Sequence, residues 1–304
     1  MSNLRIIPPQ KKKKIPKITI QGLDCARIDR PHALAVGLFK PLDHLEKRPV
    51  FELQYEYTYA KNNLRLGFKW LGVQLDITDM MVYLAIMRIV SEQSRQLPSE
   101  KLAPEVNKGL REGMKMEPDT FTVLNAKTSL YEICKKAGYT DAGKNLERVY
   151  NSIHRLQTNR CFVYSEDPET KMLRKRSEMS FGLISHWGMK EGEAYVSINP
   201  FVTRLWSLQM TGTFVNMNAI KGLRSEIAKK LFFWLCAWAS CDRVQSISLN
   251  RLVYSVWAEE TATKDTIKKR RMRVRDAMES ISKLDGWSVQ KVEDIYHIQR
   301  PLYQ

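Results

Sequence analysis

The sequence predicts an α+β fold of tandem winged-helix domains, each a helix-turn-helix followed by a β-hairpin wing. Three observations predict it. Residues 263–287, TKDTIKKRRMRVRDAMESISKLDGW, place Ile267, Val274, Met278, Ile281 and Leu284 along the stripe of an amphipathic helix. Residues 125–164 hold a short helical pattern, a tight turn and a longer helical pattern, with strand-like runs after them. The order helix, short helix, basic or polar helix and hairpin then occurs a second time along the 304-residue chain.

The elements follow in order. Residues 1–26 hold Pro8, Pro9, Lys11–Lys14, Pro16 and Lys17, a basic tail with little to bury and expected to be flexible. FELQYEYTY at 51–59 and the run 64–70 alternate around Lys61-Asn62-Asn63 and predict a β-hairpin. Thr78 is the expected N-cap of the helix that follows, with Met81, Leu84, Ala85 and Ile89 at helical spacing. Residues 97–118 carry three prolines and two glycines and predict a loop-rich insertion. TSLYEICKKAGY predicts a short helix capped by Thr128 and ended by Gly138. Leu146, Val149, Ile153 and Leu156 stripe the next helix. CFVYSE and EMSFGLISHW are the expected wing strands, with KMLRKR as their basic tip and 195–198 completing that sheet. Asn199-Pro200 marks a boundary, so the first domain is expected over 27–199 and the second over 200–304. In the second, 219–240 predicts one long apolar helix, 248–257 a short helix, 263–284 the basic helix, and 287–291 with 295–300 two strands about Glu293-Asp294.

Composition narrows the function. A net charge of +16 and a pI near 9.6 favour nucleic acid or another acidic surface as partner. An anionic membrane would compete, but no apolar run approaches the ~20 residues a span needs. The five cysteines form no CxxC pair and suit a reducing cytosol, as small core residues.

Enzyme chemistry has no visible seat. Gly138 to Asn145 nearly spells a phosphate-binding loop, but Asn145 stands where a hydroxyl should meet Mg²⁺, and a helix precedes Gly138 where a strand is required. The five histidines form neither His-x-His nor HExxH, and no acidic cluster suggests a two-metal nuclease. No catalytic residue, metal or cofactor is expected. DNA contacts are. The basic helix carries Lys264, Lys268, Lys269, Arg270, Arg271, Arg273 and Arg275 against Asp265. An ideal helix turns Lys269 and Arg273 outward, with Thr266 and Lys268 flanking them. These four are the candidates for base edges, and Arg270 and Arg271 for phosphates. Lys144 and Arg148 of the first helix-turn-helix, and Arg174, Lys175 and Arg176 of the wing tip, are the further phosphate candidates.

Two stretches resemble a known family. Arg30-Pro31-His32-Ala33-Leu34-Ala35-Val36-Gly37-Leu38-Phe39 resembles the opening motif of the initiator C proteins of IncQ-type plasmids. KKRRMRVRDAMESISKLDGWSVQKVEDIYHIQRP, at 268–301, resembles their end at Lys-Arg-Arg, Arg-Val-Arg, Gly-Trp and Arg-Pro. Ile198-Asn199-Pro200 and the 247–257 helix fit as well, and the likeness spans roughly 30–301, with no match for the lysine tail or the 97–118 insertion. The resemblance implies a cytoplasmic, plasmid-associated bacterial protein that is not a catalyst. It would bind iterons, the direct repeats in double-stranded DNA at a plasmid origin, and help open adjacent AT-rich DNA. A plasmid helicase and a primase would then be its partners, with self-association possible through the first domain. A transcriptional repressor on the same fold is the alternative reading.

Overall fold

The computed structural model describes residues 17–18, 24–42, 48–59, 64–94, 125–166, 173–199, 212–259 and 262–303. The architecture is α+β. The described elements begin with β1 (Lys17–Ile18), β2 (Cys25–Asp29) and the short helix α1 (Arg30–Leu34). Asp29 caps α1 by accepting the His32 amide, and Pro31 sits in the first turn, where no intrahelical donor is needed. Residues 17–18 and 25–26, expected within a flexible tail, are therefore strand.

The two alternating runs form β3 (Val50–Tyr59) and β4 (Leu64–Val73), paired antiparallel from Val50↔Val73 to Tyr59↔Leu64. Phe51, Leu53, Tyr55 and Tyr57 turn toward the core, and Glu52, Gln54, Glu56 and Thr58 toward solvent. Next comes α2 (Ile77–Ser94), buried around most of its circumference. Its start is set by Asp76 rather than Thr78. The Asp76 carboxylate accepts the Asp79 amide at 2.9 Å and the Asp79 carboxylate accepts the Asp76 amide at 3.0 Å, a reciprocal capping box. The 97–118 insertion lies outside the described residues.

A strand and two helices joined by a turn follow: β5 (Asn125–Thr128), α3 (Leu130–Lys136) and α4 (Gly143–Thr158). Ser129, not Thr128, caps α3, accepting the Glu132 amide at 3.1 Å. Thr128 is spent on β5, and its hydroxyl donates to the Glu132 carboxylate at 2.8 Å. Gly138, at φ +87°, ends the turn after α3, where a left-handed residue is needed.

The expected wing is corrected. Four strands follow α4: β6 (Arg160–Glu166), β7 (Leu173–Phe181), β8 (Ile184–Lys190) and β9 (Glu193–Ile198). β6 and β7 extend the β3–β4 hairpin into a four-stranded sheet of order β3-β4-β6-β7. β8 and β9 make a separate hairpin about the left-handed pair Glu191-Gly192, in a sheet of order β5-β9-β8. The run 178–187 is not one strand because Phe181, Gly182, Leu183 and Ile184 are buried in succession, which a strand covered on one face does not allow. A Cβ at Gly182 would also sit 2.5 Å from the Gln157 carbonyl oxygen, so only glycine fits this crossing between sheets. Arg174, Lys175 and Arg176 thus lie in β7, an edge strand, and not at a hairpin tip. Residues 195–198 join β5 and β8, not β6 and β7.

The remaining elements are β10 (Gly212–Asn216), α5 (Met217–Gly222), α6 (Glu226–Trp238), β11 (Gln245–Ser248), α7 (Leu249–Trp257), α8 (Lys264–Ser282), β12 (Ser288–Val292), β13 (Ile295–Gln299) and β14 (Leu302–Tyr303). The single helix expected over 219–240 is two, because Leu223 is extended (φ −73°, ψ 123°) and α6 starts afresh after Ser225.

One topology therefore occurs twice. The first unit runs α2, β5, α3, α4, β8, β9, with β6–β7 inserted before the hairpin. The second runs α6, β11, α7, α8, β12, β13 with strand order β11-β13-β12, matching β5-β9-β8. The units share one core: the Phe39 ring stacks on Tyr83 of α2 at 6.3 Å and meets Phe233 of α6 edge-on at 5.9 Å. The N-terminal strands tie them further. β2 pairs antiparallel with β10, α1 packs on α6, and β1 runs parallel to β14.

Candidate nucleic-acid interface

Helix α8 is positioned from both ends of its buried seam. Thr263 caps it, accepting the Thr266 amide at 3.3 Å, and the two threonine hydroxyls lie 2.8 Å apart. Val274, Ala277, Met278 and Ile281 are buried against α6 and α7, with Ile267 half-buried at the leading end. Three- and four-residue spacing puts these on one face and leaves the rest of the cylinder to charge.

The cations divide into three sets. Lys264, Lys268, Arg271 and Arg275 line one flank with Ile267, around a cavity of ≈ 320 Å³. Within that set Arg271 donates to the Asn250 side-chain oxygen of α7 at 3.0 and 2.6 Å, and Arg275 pairs with Asp294 in the β12–β13 turn at 3.2 Å. Lys269 and Arg273 form a second flank, four residues apart and exposed. Arg270 stands by itself near the seam. It pairs with Glu259 at 2.6 Å, and its guanidinium lies 5.0 Å from the Trp257 ring centroid. Among the described residues, Lys264, Lys268, Lys269 and Arg273 have no ion-pair partner, so their charge faces solvent. Beyond Arg275 the exposed positions change sign to Asp276 and Glu279, the latter paired with Lys283 at 2.8 Å. The helix is thus a cationic rod for its first three turns, with the positive end of its dipole at the same end.

Such a rod can do two things. Exposed lysines spaced by a turn can neutralise successive phosphates, and a free guanidinium can donate two parallel hydrogen bonds to a guanine edge. Thr266 is half-buried and engaged with its cap, which leaves it less to offer a base than its neighbours.

In the first unit the corresponding helix is α4. It exposes Lys144 and Arg148 four residues apart, but also Glu147 between them. Its middle carries aromatics: Tyr150 and His154 meet Trp187 of β8 edge-on, each with ring centroids 5.1 Å away. Arg155 is withdrawn into a buried ion network on Asp79. Lys144 and Arg148 lie on one unit and the α8 cations on the other, while Arg174 to Arg176 belong to a different sheet. The sequence reading missed Asn250, Glu259 and Asp294, which orient the arginines of α8. No local pattern marks them, since each acts across tertiary distance.

The loop from Gly138 to Asn145 follows a helix, and the Asn145 amide donates inward to Thr140 at 2.9 and 3.2 Å. Among the described residues no group of His, Cys, Asp and Glu is arranged to hold a metal ion, and no helix is long and apolar enough to cross a membrane. Cys25, Cys134, Cys161 and Cys236 are buried thiols that form no disulfide.

Comparison with known proteins adds three findings. The family profile described as Replication protein C (RepC) matches residues 20–302. No curated protein sequence matches the chain. A crystal structure of domains 2 and 3 of RctB is similar, with a TM-score of 0.52 at 9% identity, over 90% of this chain and 99% of that one. A second crystal structure of RctB domains 2–3 gives 0.48 at 8% identity, over 89% and 96%. At this identity the likeness speaks to the fold alone.

Proposed function

The chain belongs to the replication protein C family, and from that premise we propose that it initiates plasmid replication by binding direct repeats in double-stranded origin DNA. Both repeated units are winged helices in this reading. The support is their shared order of helix, strand, two helices and hairpin, with the last strand central in each sheet. The observation that carries the reading is α8, a helix buried along one stripe and cationic over its leading turns. It lies in the major groove, with Lys269 and Arg273 toward base edges and Lys264, Lys268, Arg271 and Arg275 along phosphates. The first unit adds Lys144 and Arg148, so the two reading helices reach successive major grooves and cover ~20 bp. Clustered occupancy of repeats strains the duplex, and flexible AT-rich steps yield first. The opened strands then receive the plasmid helicase and primase. The protein itself acts in the cytoplasm as a non-catalytic, cofactor-free platform.

The test is binding of the full chain to a direct-repeat origin fragment and to a scrambled one across a salt series. Preference for repeats that survives ~200 mM salt is expected, because phosphate contacts alone weaken by orders of magnitude there. Equal affinity with a steep salt slope overturns the reading. Repeat binding without opening of a supercoiled origin when helicase is added would leave a repressor instead. Within the complex, Arg273→Ala is expected to cost about 1–3 kcal/mol at the specific site and to relax one base position. An unchanged base preference would place readout elsewhere.

A further inference from the structure

Met272 is the residue of α8 that charge recognition does not explain. It is 56% exposed, and it projects on the side of the helix opposite the buried Val274–Met278–Ile281 seam. Every other large apolar side chain of α8 is buried or half-buried. Its surroundings are cationic. Lys268 and Lys269 precede it by four and three residues, and Arg275 follows it by three, so all three share its face. Asp276, one turn further, begins the stretch where a polyanion is repelled. Met272 therefore stands on the last turn of its own face before the charge changes sign, among cations that can approach a phosphate-walled groove, and it carries there a flexible, polarizable, hydrogen-bond-poor side chain.

We propose that Met272 is a specificity residue that packs on the C5-methyl group of a thymine. This rests on the reading of α8 as a major-groove helix. The methyl is the apolar feature of the major-groove floor, present on thymine and absent from cytosine. A side chain without donors cannot discriminate by hydrogen bonding, and opposite an exocyclic amine it would strip water from a polar group without replacing the bond. The repeat is thus read by two chemistries on one helix: guanidinium to guanine edges at Arg273, and thioether to a methyl at Met272, on the outer face one residue before it.

The experiment uses the full chain and a duplex carrying the repeat. Each thymine is exchanged in turn for deoxyuridine, which removes the methyl and leaves every hydrogen-bonding group. Repeat preference over a scrambled duplex is measured first. Its absence would overturn the major-groove reading and this proposal together. With preference present, one or two deoxyuridine positions are expected to weaken wild-type binding about fourfold each, the equivalent of one buried methyl. Met272→Ala is expected to bind the natural repeat about that much more weakly and to become indifferent to deoxyuridine at the same position. Met272→Leu should keep the sensitivity. Met272 is exposed and both replacements are good helix formers, so folding is left intact. Wild-type indifference to deoxyuridine at every position, or equal sensitivity in Met272→Ala, would overturn the assignment while leaving the functional reading standing.

Discussion

Asp79→Ala is expected to destabilise the first unit by about 1–3 kcal/mol, the cost of leaving part-buried donors without their acceptor. The Asp79 carboxylate is fully buried and collects donors from three parts of the chain. Arg155 of α4 reaches it through Nη2 at 2.8 Å and Nε at 3.1 Å, Arg48 before β3 through Nη1 at 3.0 Å, and Ser152 through its hydroxyl at 2.6 Å. The Asp76 amide completes the shell. Alanine would strip the acceptor from all of them at once, and α4 would lose its polar anchor to α2. Arg48 keeps Asp76 at 2.5 Å, so Arg155 and Ser152 bear most of the loss. Urea denaturation is the measurement. The double variant Asp79→Ala/Arg155→Ala should be less destabilised than the sum of the two singles, since the second change removes the stranded guanidinium. Additive effects would mean that the pair is not coupled and that packing alone holds α4 on α2.

This network also shows where sequence reasoning ends. Val149, Ile153 and Leu156 announce the apolar face of α4 through local spacing, and the structure buries them together. Ser152 and Arg155 look like ordinary polar positions on the same helix, because their partner lies 73 and 76 residues away. The same contrast holds for the sheets. The β3–β4 hairpin is legible because alternation and a short turn are local signals. The β2–β10 pair, joining residues 25–29 to 212–216, has no local signature. The strands expected after α4 differ from those observed for a related reason. β6 and β7 have strand composition and follow α4 directly, so they take the place a wing should occupy. The pairing of β9 with both β5 and β8 is what puts β8 and β9 in the sheet beside α3 and α4, and no local pattern marks it.

At the candidate interface, periodicity places Lys269 and Arg273 on the solvent side and Arg270 near the seam, and the structure has them there. It could not divide the cations into two flanks or show that Arg271 and Arg275 are already held by Asn250 and Asp294. One signal for Met272 was present and unused: it falls off the 267–274–278–281 stripe, so a helix that buries that stripe must expose it.

Lys230→Met is expected to stabilise the second unit, by roughly 3–5 kcal/mol at pH 6. Lys230 lies within α6 and is entirely buried, its Nζ has no hydrogen-bond partner among the described residues, and it sits 5.6 Å from the Phe233 ring centroid. Burial pulls its pKa down from 10.5 to about 7. Between those two values the unfolded chain holds the proton and the folded chain does not. Stability from this group therefore rises with pH from about 7 to about 10.5, and the full penalty is present at and below the lower value. Methionine fills a similar volume without the charge or the unmade bonds, so the gain should be largest in acid. It should shrink as the pH rises toward 10.5, where the folded and the unfolded chain both hold the neutral amine. Urea unfolding of both proteins at pH 6 and pH 10 measures it. A gain independent of pH would show that the amine finds water or a partner in solution and keeps its ordinary proton affinity. A loss of stability would show that the cation over Phe233 is worth more than the apolar contact that replaces it. Because α6 is the floor on which α8 packs, the same variant asks whether the candidate interface depends on that buried charge. Unchanged DNA binding by a more stable Lys230→Met would separate the scaffold from the reading helix.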